Sequence, residues 1–213
     1  MKELDLKVED LPFTDFLSAR YGMSVKINAE KLWKYSKEHN LSFFTLSLGA
    51  ILSATNKVPQ LKRRIIDNKV IEYDYLDAVC PLLNEDNGTF NEMKIKNPSK
   101  FNNLLQWYNY VEELKENALK EEIDFFNVEM QERDELDIIN CSCIPWVDFE
   151  SISNPIAKGN QIQPLITWGK VNENYEMTVT ITVSHIFVFG RDLAYFFEYV
   201  QDNFDNFIEY LEK

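Results

Sequence analysis

The sequence predicts an α+β fold in a single domain spanning residues 1–213. Three observations predict it. Stretches with apolar residues at a period of two, the mark of half-buried strands, are interspersed with stretches at helical spacing. Hydrophobic residues make up 45% of the chain and aromatics 14%, which supplies a sizeable core and argues against disorder. No internal repeat, low-complexity segment or Gly/Ser linker divides the chain.

In order, residues 1–20 read as a short strand and an irregular segment. Met23 to Asn28 alternates and reads as a strand, and Asn28 can cap a helix running from Ala29 to about Glu38. Ser42 to Thr55 is apolar nearly all round, which predicts a buried helix, and Pro59 follows its end. Arg64–Ile66 and Val70–Tyr73 flank the turn Asp67-Asn68 as a hairpin. Ala78–Leu83 and Thr89–Ile95 flank Asn84-Glu-Asp-Asn-Gly88 as another. Pro98-Ser99 opens a long helix whose stripe is Phe101, Leu104, Leu105, Tyr108, Val111 and Leu114. Residues 122–138 are acidic and carry no clear period. Ile138–Ile144 reads as a strand, and Pro145–Ile152 as a turn with extended chain after it. Pro164–Val171 and Glu176–Val183 flank Asn172-Glu-Asn174 as an antiparallel hairpin. A last helix from about Asp192 to Leu211 buries Phe196, Phe197, Val200, Phe204 and Phe207.

Charge and cysteine usage remove several classes of function. The formal net charge is −13, which argues against nucleic acid as a partner, because phosphate contacts need clustered Lys and Arg. The one dense basic cluster, Lys62-Arg-Arg64, reads as a solvated surface stretch. Cys80, Cys141 and Cys143 lack zinc spacing, so no metal site is expected, and free thiols point to a reducing cytoplasm. No apolar run has signal-peptide or membrane-spanning length, so no membrane association is expected. Phosphate loops, HExxH and GxSxG are all missing.

The chemistry centres on Met177–Gly190. Val179, Ile181 and Val183 alternate with Thr178, Thr180, Thr182 and Ser184, and the strand delivers His185 before Gly190 and a helix. Imidazole at a strand end suits a general base. It equally suits a satisfied structural residue. The other histidine, His39, lies in the polar stretch Ser36–Asn40 and is the weaker candidate.

Two further stretches accompany it in order: Asn140-Cys-Ser142-Cys-Ile-Pro-Trp146-Val-Asp-Phe149, then Pro164-Leu-Ile-Thr167. Together with Ser184-His185 and Gly190 they resemble the chloramphenicol acetyltransferase family, with its Asn-x-Ser-x-x-Pro-Trp-x-x-Phe stretch, its Pro-x-x-Thr and its His-His-x-x-x-Asp-Gly signature. Element order agrees from about Met23 onward. The resemblance implies a two-layer sandwich of a mixed β-sheet with helices and acetyl-CoA as co-substrate. It implies acetyl transfer to a hydroxyl of a small molecule, in a homotrimer whose active sites lie between chains. It makes His185 the general base, Ser142 the oxyanion donor and Thr167 a residue that holds the transition state through water. Acceptor-pocket positions fall on Phe90, Glu92, Ile152, Asn154, Ile156 and Leu165, of which Glu92 and Asn154 are polar where the family is apolar. Two departures stand out. Ser184 replaces the first signature histidine, and Phe189 replaces the aspartate that forms a structural ion pair. The N-terminal 22 residues, which would supply the partner arginine, align poorly. An alternative reading is a catalytically impaired member acting as a binding or assembly module. The threonine face of the last strand suits an interface between copies, or else a wet sheet face in a monomer.

Overall fold

The computed structural model describes residues 1–16, 18–120, 137–154 and 163–211. Six strands form the main sheet in the order β2 (Arg20–Asn28), β9 (Glu176–Ser184), β8 (Leu165–Trp168), β7 (Ile138–Cys143), β5 (Asp77–Asn84) and β6 (Thr89–Ile95). β7 runs parallel to both its neighbours and the other pairings are antiparallel, so the sheet is mixed. Helices α1 (Glu30–Glu38), α2 (Phe43–Asn56), α3 (Leu104–Lys120) and α4 (Gly190–Leu211) form the second layer. Their apolar stripes share one core with the inward residues of the strands, among them Ile27, Met93, Ile166 and Ile181. A small sheet of β1 (Lys2–Lys7), β4 (Lys69–Glu72) and β3 (Arg63–Ile66) stands beside it. No helix among the described residues is long and apolar enough to cross a membrane.

Local chemistry explains most of these elements. Ser42 caps α2 by accepting from the Thr45 N–H at 3.3 Å, and Asn28 accepts from the Glu30 N–H at 2.9 Å to start α1. Asp67 and Asn68 both take positive φ, 49° and 59°, the conformation a two-residue hairpin turn requires between β3 and β4. α2 is buried nearly all round, as its composition predicts. At its centre a Cβ on Gly49 would lie 2.6 Å from Trp107 Cζ3 and 2.7 Å from Phe207 Cζ. Gly49→Ala therefore wedges α2 away from both neighbouring helices and should cost about 1–3 kcal/mol. The urea midpoint measures this, and an unchanged midpoint would contradict the close packing.

Three expectations need correction. Arg64 is not solvated: it is 1% exposed. Its guanidinium donates to the carbonyls of Leu61, Arg63 and Ile138 at 2.8–3.0 Å and so ties the small sheet to the start of β7. Burial pulls its pKa down to about 10. The long helix starts at Leu104, not at Pro98. Asn97 caps a single 3₁₀ turn over Pro98–Lys100, and Phe101 packs on the Tyr110 ring from outside the helix. Finally, Thr178 and Thr180 of β9 are buried within one chain and Thr182 is half-buried, so that face is not simply wet.

Candidate active site

β9 carries His185 just past its end, where the His185 N–H donates to the Ala19 carbonyl at 2.7 Å. The chain then folds back, and His185 Nδ1 lies 2.9 Å from the Val188 carbonyl oxygen. A carbonyl only accepts, so Nδ1 carries the proton and the neutral ring keeps its lone pair on Nε2. The same carbonyl accepts from the Tyr21 hydroxyl at 3.0 Å. Burial and then the negative charge of Asp192 push the Tyr21 pKa up, which keeps this donor protonated.

Aromatic rings house the imidazole. Phe13 has φ of 62°, uncommon for a residue with a side chain, and its ring stacks on His185 at 4.3 Å and 15°. Tyr21 leans on the other contact at 4.3 Å, and Phe189 meets the ring edge at 5.1 Å. Asp192 Oδ2 accepts from the Phe189 N–H at 2.8 Å, reaching back over the first turn of α4 like the acid of a capping box. Phe189 thus contributes a ring edge where an aspartate was expected from the resemblance. Arg20, in the N-terminal segment, turns its guanidinium to the Gln163 carbonyl at 3.1 Å.

Ser142 and Thr167 are direct register partners across β7 and β8, and Thr167 in turn pairs with Thr180 and Thr180 with Ser24. Strand alternation points all four away from the helices. The Ser24 and Thr180 hydroxyls are 2.7 Å apart. Thr167 Oγ1 donates to Asn154 Oδ1 at 3.2 Å, and Asn154 Nδ2 donates to Thr182 Oγ1 at 3.4 Å. Among the described residues the Ser142 hydroxyl has no hydrogen-bond partner. Leu165, opposite Thr182, and half-buried Ile152 belong to the same region. Phe90 and Glu92 point to the same face from β6, beyond β5; Ile156 lies outside the described residues.

His185 does not join this row. Thr167 is opposite Thr180, and His185 lies five residues further along β9, roughly 16 Å at strand rise. No side chain spans that, so one chain holds two separate halves of the expected site.

A third feature went unnoticed in the sequence. β5 pairs with β7 only from Asp77↔Ile138 to Val79↔Asn140, while its ladder with β6 continues to Asn84↔Thr89. Pro81 has no N–H to offer on the β7 side, and there the strands part. A pocket of about 450 Å³ opens at this end of the sheet, lined by Pro81 and Leu83 from β5, Cys143 and Trp146 from β7 and its turn, and Phe44 and Trp168. Lys115 and Lys170 also line it. Burial raises the Cys143 thiol to about 12, so it stays protonated as part of an apolar wall. A larger groove of about 740 Å³ runs along β1 and contains none of these residues.

The family model for chloramphenicol acetyltransferase matches residues 9–201. The chain belongs to the chloramphenicol acetyltransferase family. It is 22% identical over 190 residues to chloramphenicol acetyltransferase 3 of Escherichia coli, covering 87% of this chain and 86% of that protein. It is 23% identical over 209 residues to a chloramphenicol acetyltransferase of Clostridium perfringens, covering 93% and 91%. A solved chloramphenicol acetyltransferase superposes with a TM-score of 0.80 at 25% identity, covering 94% of this chain and 99% of the other. A dihydrolipoamide acetyltransferase of Azotobacter vinelandii shares the fold at a TM-score of 0.67 and 13% identity, covering 99% and 94%. The fold is therefore that of chloramphenicol acetyltransferases and the wider CoA-dependent acyltransferases. Sequence reasoning missed Phe13 and Tyr21, which hold His185 in this family member. The cluster of aromatics between Phe13 and Tyr21 was the available clue.

Proposed function

We propose that this protein is an acetyl-CoA-dependent O-acetyltransferase acting on a hydroxyl of a polar small molecule. The observation that carries the reading is the fixed tautomer of His185, whose Nδ1 proton is held by the Val188 carbonyl. Nε2 then takes the proton of the acceptor hydroxyl as its oxygen attacks the thioester carbonyl. The tetrahedral oxyanion receives the unpartnered Ser142 hydroxyl. Its collapse breaks the C–S bond, and the proton on His185 passes to the departing thiolate to give free CoA. Thr167, held by Asn154, positions the transition state from the neighbouring strand.

The apolar pocket between β5 and β7 suits the arm of the acyl donor. Its walls match an apolar chain, Lys115 and Lys170 match phosphate, and its floor at Cys143 adjoins Ser142. The parted strands offer a way through the sheet from the helix side to the hydroxyl row. The acceptor then comes from the opposite face, which Glu92 and Asn154 make polar. The separation of His185 from that row supports a homotrimer in which His185 of one copy completes the neighbour's site. Phe189, 45% exposed against His185, and Phe16, 61% exposed against Phe13, form the apolar surface a neighbour would cover.

A second reading, a binding module without catalysis, is favoured by Phe189 in place of the signature aspartate. Thiol release from acetyl-CoA, measured with a panel of hydroxylated acceptors, separates the two. Turnover with polar alcohols and poor turnover of chloramphenicol are expected, because burying the Glu92 carboxylate against an apolar drug is costly. Efficient acetylation of chloramphenicol would refute the polar pocket. No thiol release with any acceptor would favour the binding module.

A further inference from the structure

The chain buries two large indoles in full, Trp107 and Trp168, and treats them differently. Trp107 Nε1 donates to the Lys96 carbonyl at 2.7 Å. Trp168 is 0% exposed, yet its indole nitrogen has no acceptor among the described residues. A buried N–H without an acceptor is costly, and proteins rarely leave one at random.

Its location gives the orphan donor a use. Trp168 ends β8, one residue after Thr167 and opposite Cys143 in the register. It lines the pocket between β5 and β7. Its ring lies nearly parallel to that of Phe44, at 6.0 Å and 21°. Its backbone is also held. The Ile144 N–H donates to its carbonyl at 2.9 Å, and a Cβ on Gly169 would come within 2.9 Å of both Phe149 and the Val147 carbonyl. The indole therefore stands as a rigid neutral donor in the apolar part of the wall, with no charge of its own to attract an anion. The partner that suits it is a neutral oxygen on an otherwise apolar chain, which an amide carbonyl supplies.

Resting on the acetyl-CoA reading above, we propose that the Trp168 indole N–H is a binding contact for the acyl donor. It donates to an amide carbonyl of the donor's arm and so adds to the hold on the donor equally in ground and transition states. Trp168→Phe removes the N–H and keeps an aromatic wall. Calorimetry of the full chain with coenzyme A should show the Kd raised about tenfold, the upper range for one neutral hydrogen bond. The KM for acetyl-CoA should rise in step while kcat stays within about twofold, since the contact is made equally in ground and transition states. The ligand-free variant should melt no lower than wild type, because the orphan donor is gone. An unaltered Kd in a folded W168F protein, with wild type binding normally, overturns this contact alone. A folded wild type that does not bind coenzyme A overturns the acetyl-CoA reading as well. Should W168F not fold, the wild-type indole resonances decide. One of the four Trp indole protons should move downfield on adding coenzyme A, and four unmoved resonances overturn the contact.

Discussion

His185→Ala is expected to abolish measurable acetyl transfer. A positioned base contributes about 10²–10⁴-fold, and here the loss should reach the upper end, because no second histidine lies nearby to substitute. The only other one, His39, sits exposed past the end of α1 against Tyr35. CoA release by wild type, H185A and H185Q is the measurement, and rates equal to wild type would end the assignment. The proposed trimer adds a sharper form of the test. Because His185 and Ser142 of one chain stand too far apart to meet at one site, an inactive H185A subunit and an inactive S142A subunit should complement each other when refolded together. In the proposed trimer one site would take His185 from one copy and Ser142 from its neighbour. No recovered activity, or an active species with the mass of a monomer in sedimentation, counts against a site shared between chains.

The second large effect is at Ser142. Among the described residues its hydroxyl is the one member of the cross-strand row with no partner, which leaves it to meet developing charge. Ser142→Ala should lower kcat about 10²–10³-fold, the usual loss for a single oxyanion donor, while the KM for acetyl-CoA changes little. The split between the two constants is what separates this role from a structural one. A serine that only satisfied strand backbone would leave kcat intact and lower the melting temperature instead.

Much of the fold was legible because its causes are local. The alternation of Val179, Ile181 and Val183 marked β9, and the paired turn formers Asp67 and Asn68 marked the first hairpin. The stripe of Phe196, Val200, Phe204 and Phe207 marked the last helix. Boundaries slipped where side-chain capping competed with periodicity, as at Asn97, whose carboxamide closes a 3₁₀ turn ahead of the helix proper. Lys62-Arg-Arg64 was misread for a different reason. An arginine's hydrophilicity is a property of the residue, whereas three inward carbonyls that accept from its guanidinium are a property of the assembled chain.

The same division runs through the candidate site. The sequence by itself determined the residue types, an imidazole after a β-branched strand and two hydroxyls in ordered motifs, and through them the family. Only the tertiary structure decided their spacing. Register between β8 and β9 separates His185 from Thr167. The long-range approach of Phe13 and Tyr21 replaces the expected ion pair with stacked rings and a held carbonyl. Pro81 ends one ladder but not the other, and that opens the pocket. These are pairings between residues distant in the chain, set by which backbone groups find partners, and neither periodicity nor composition records them.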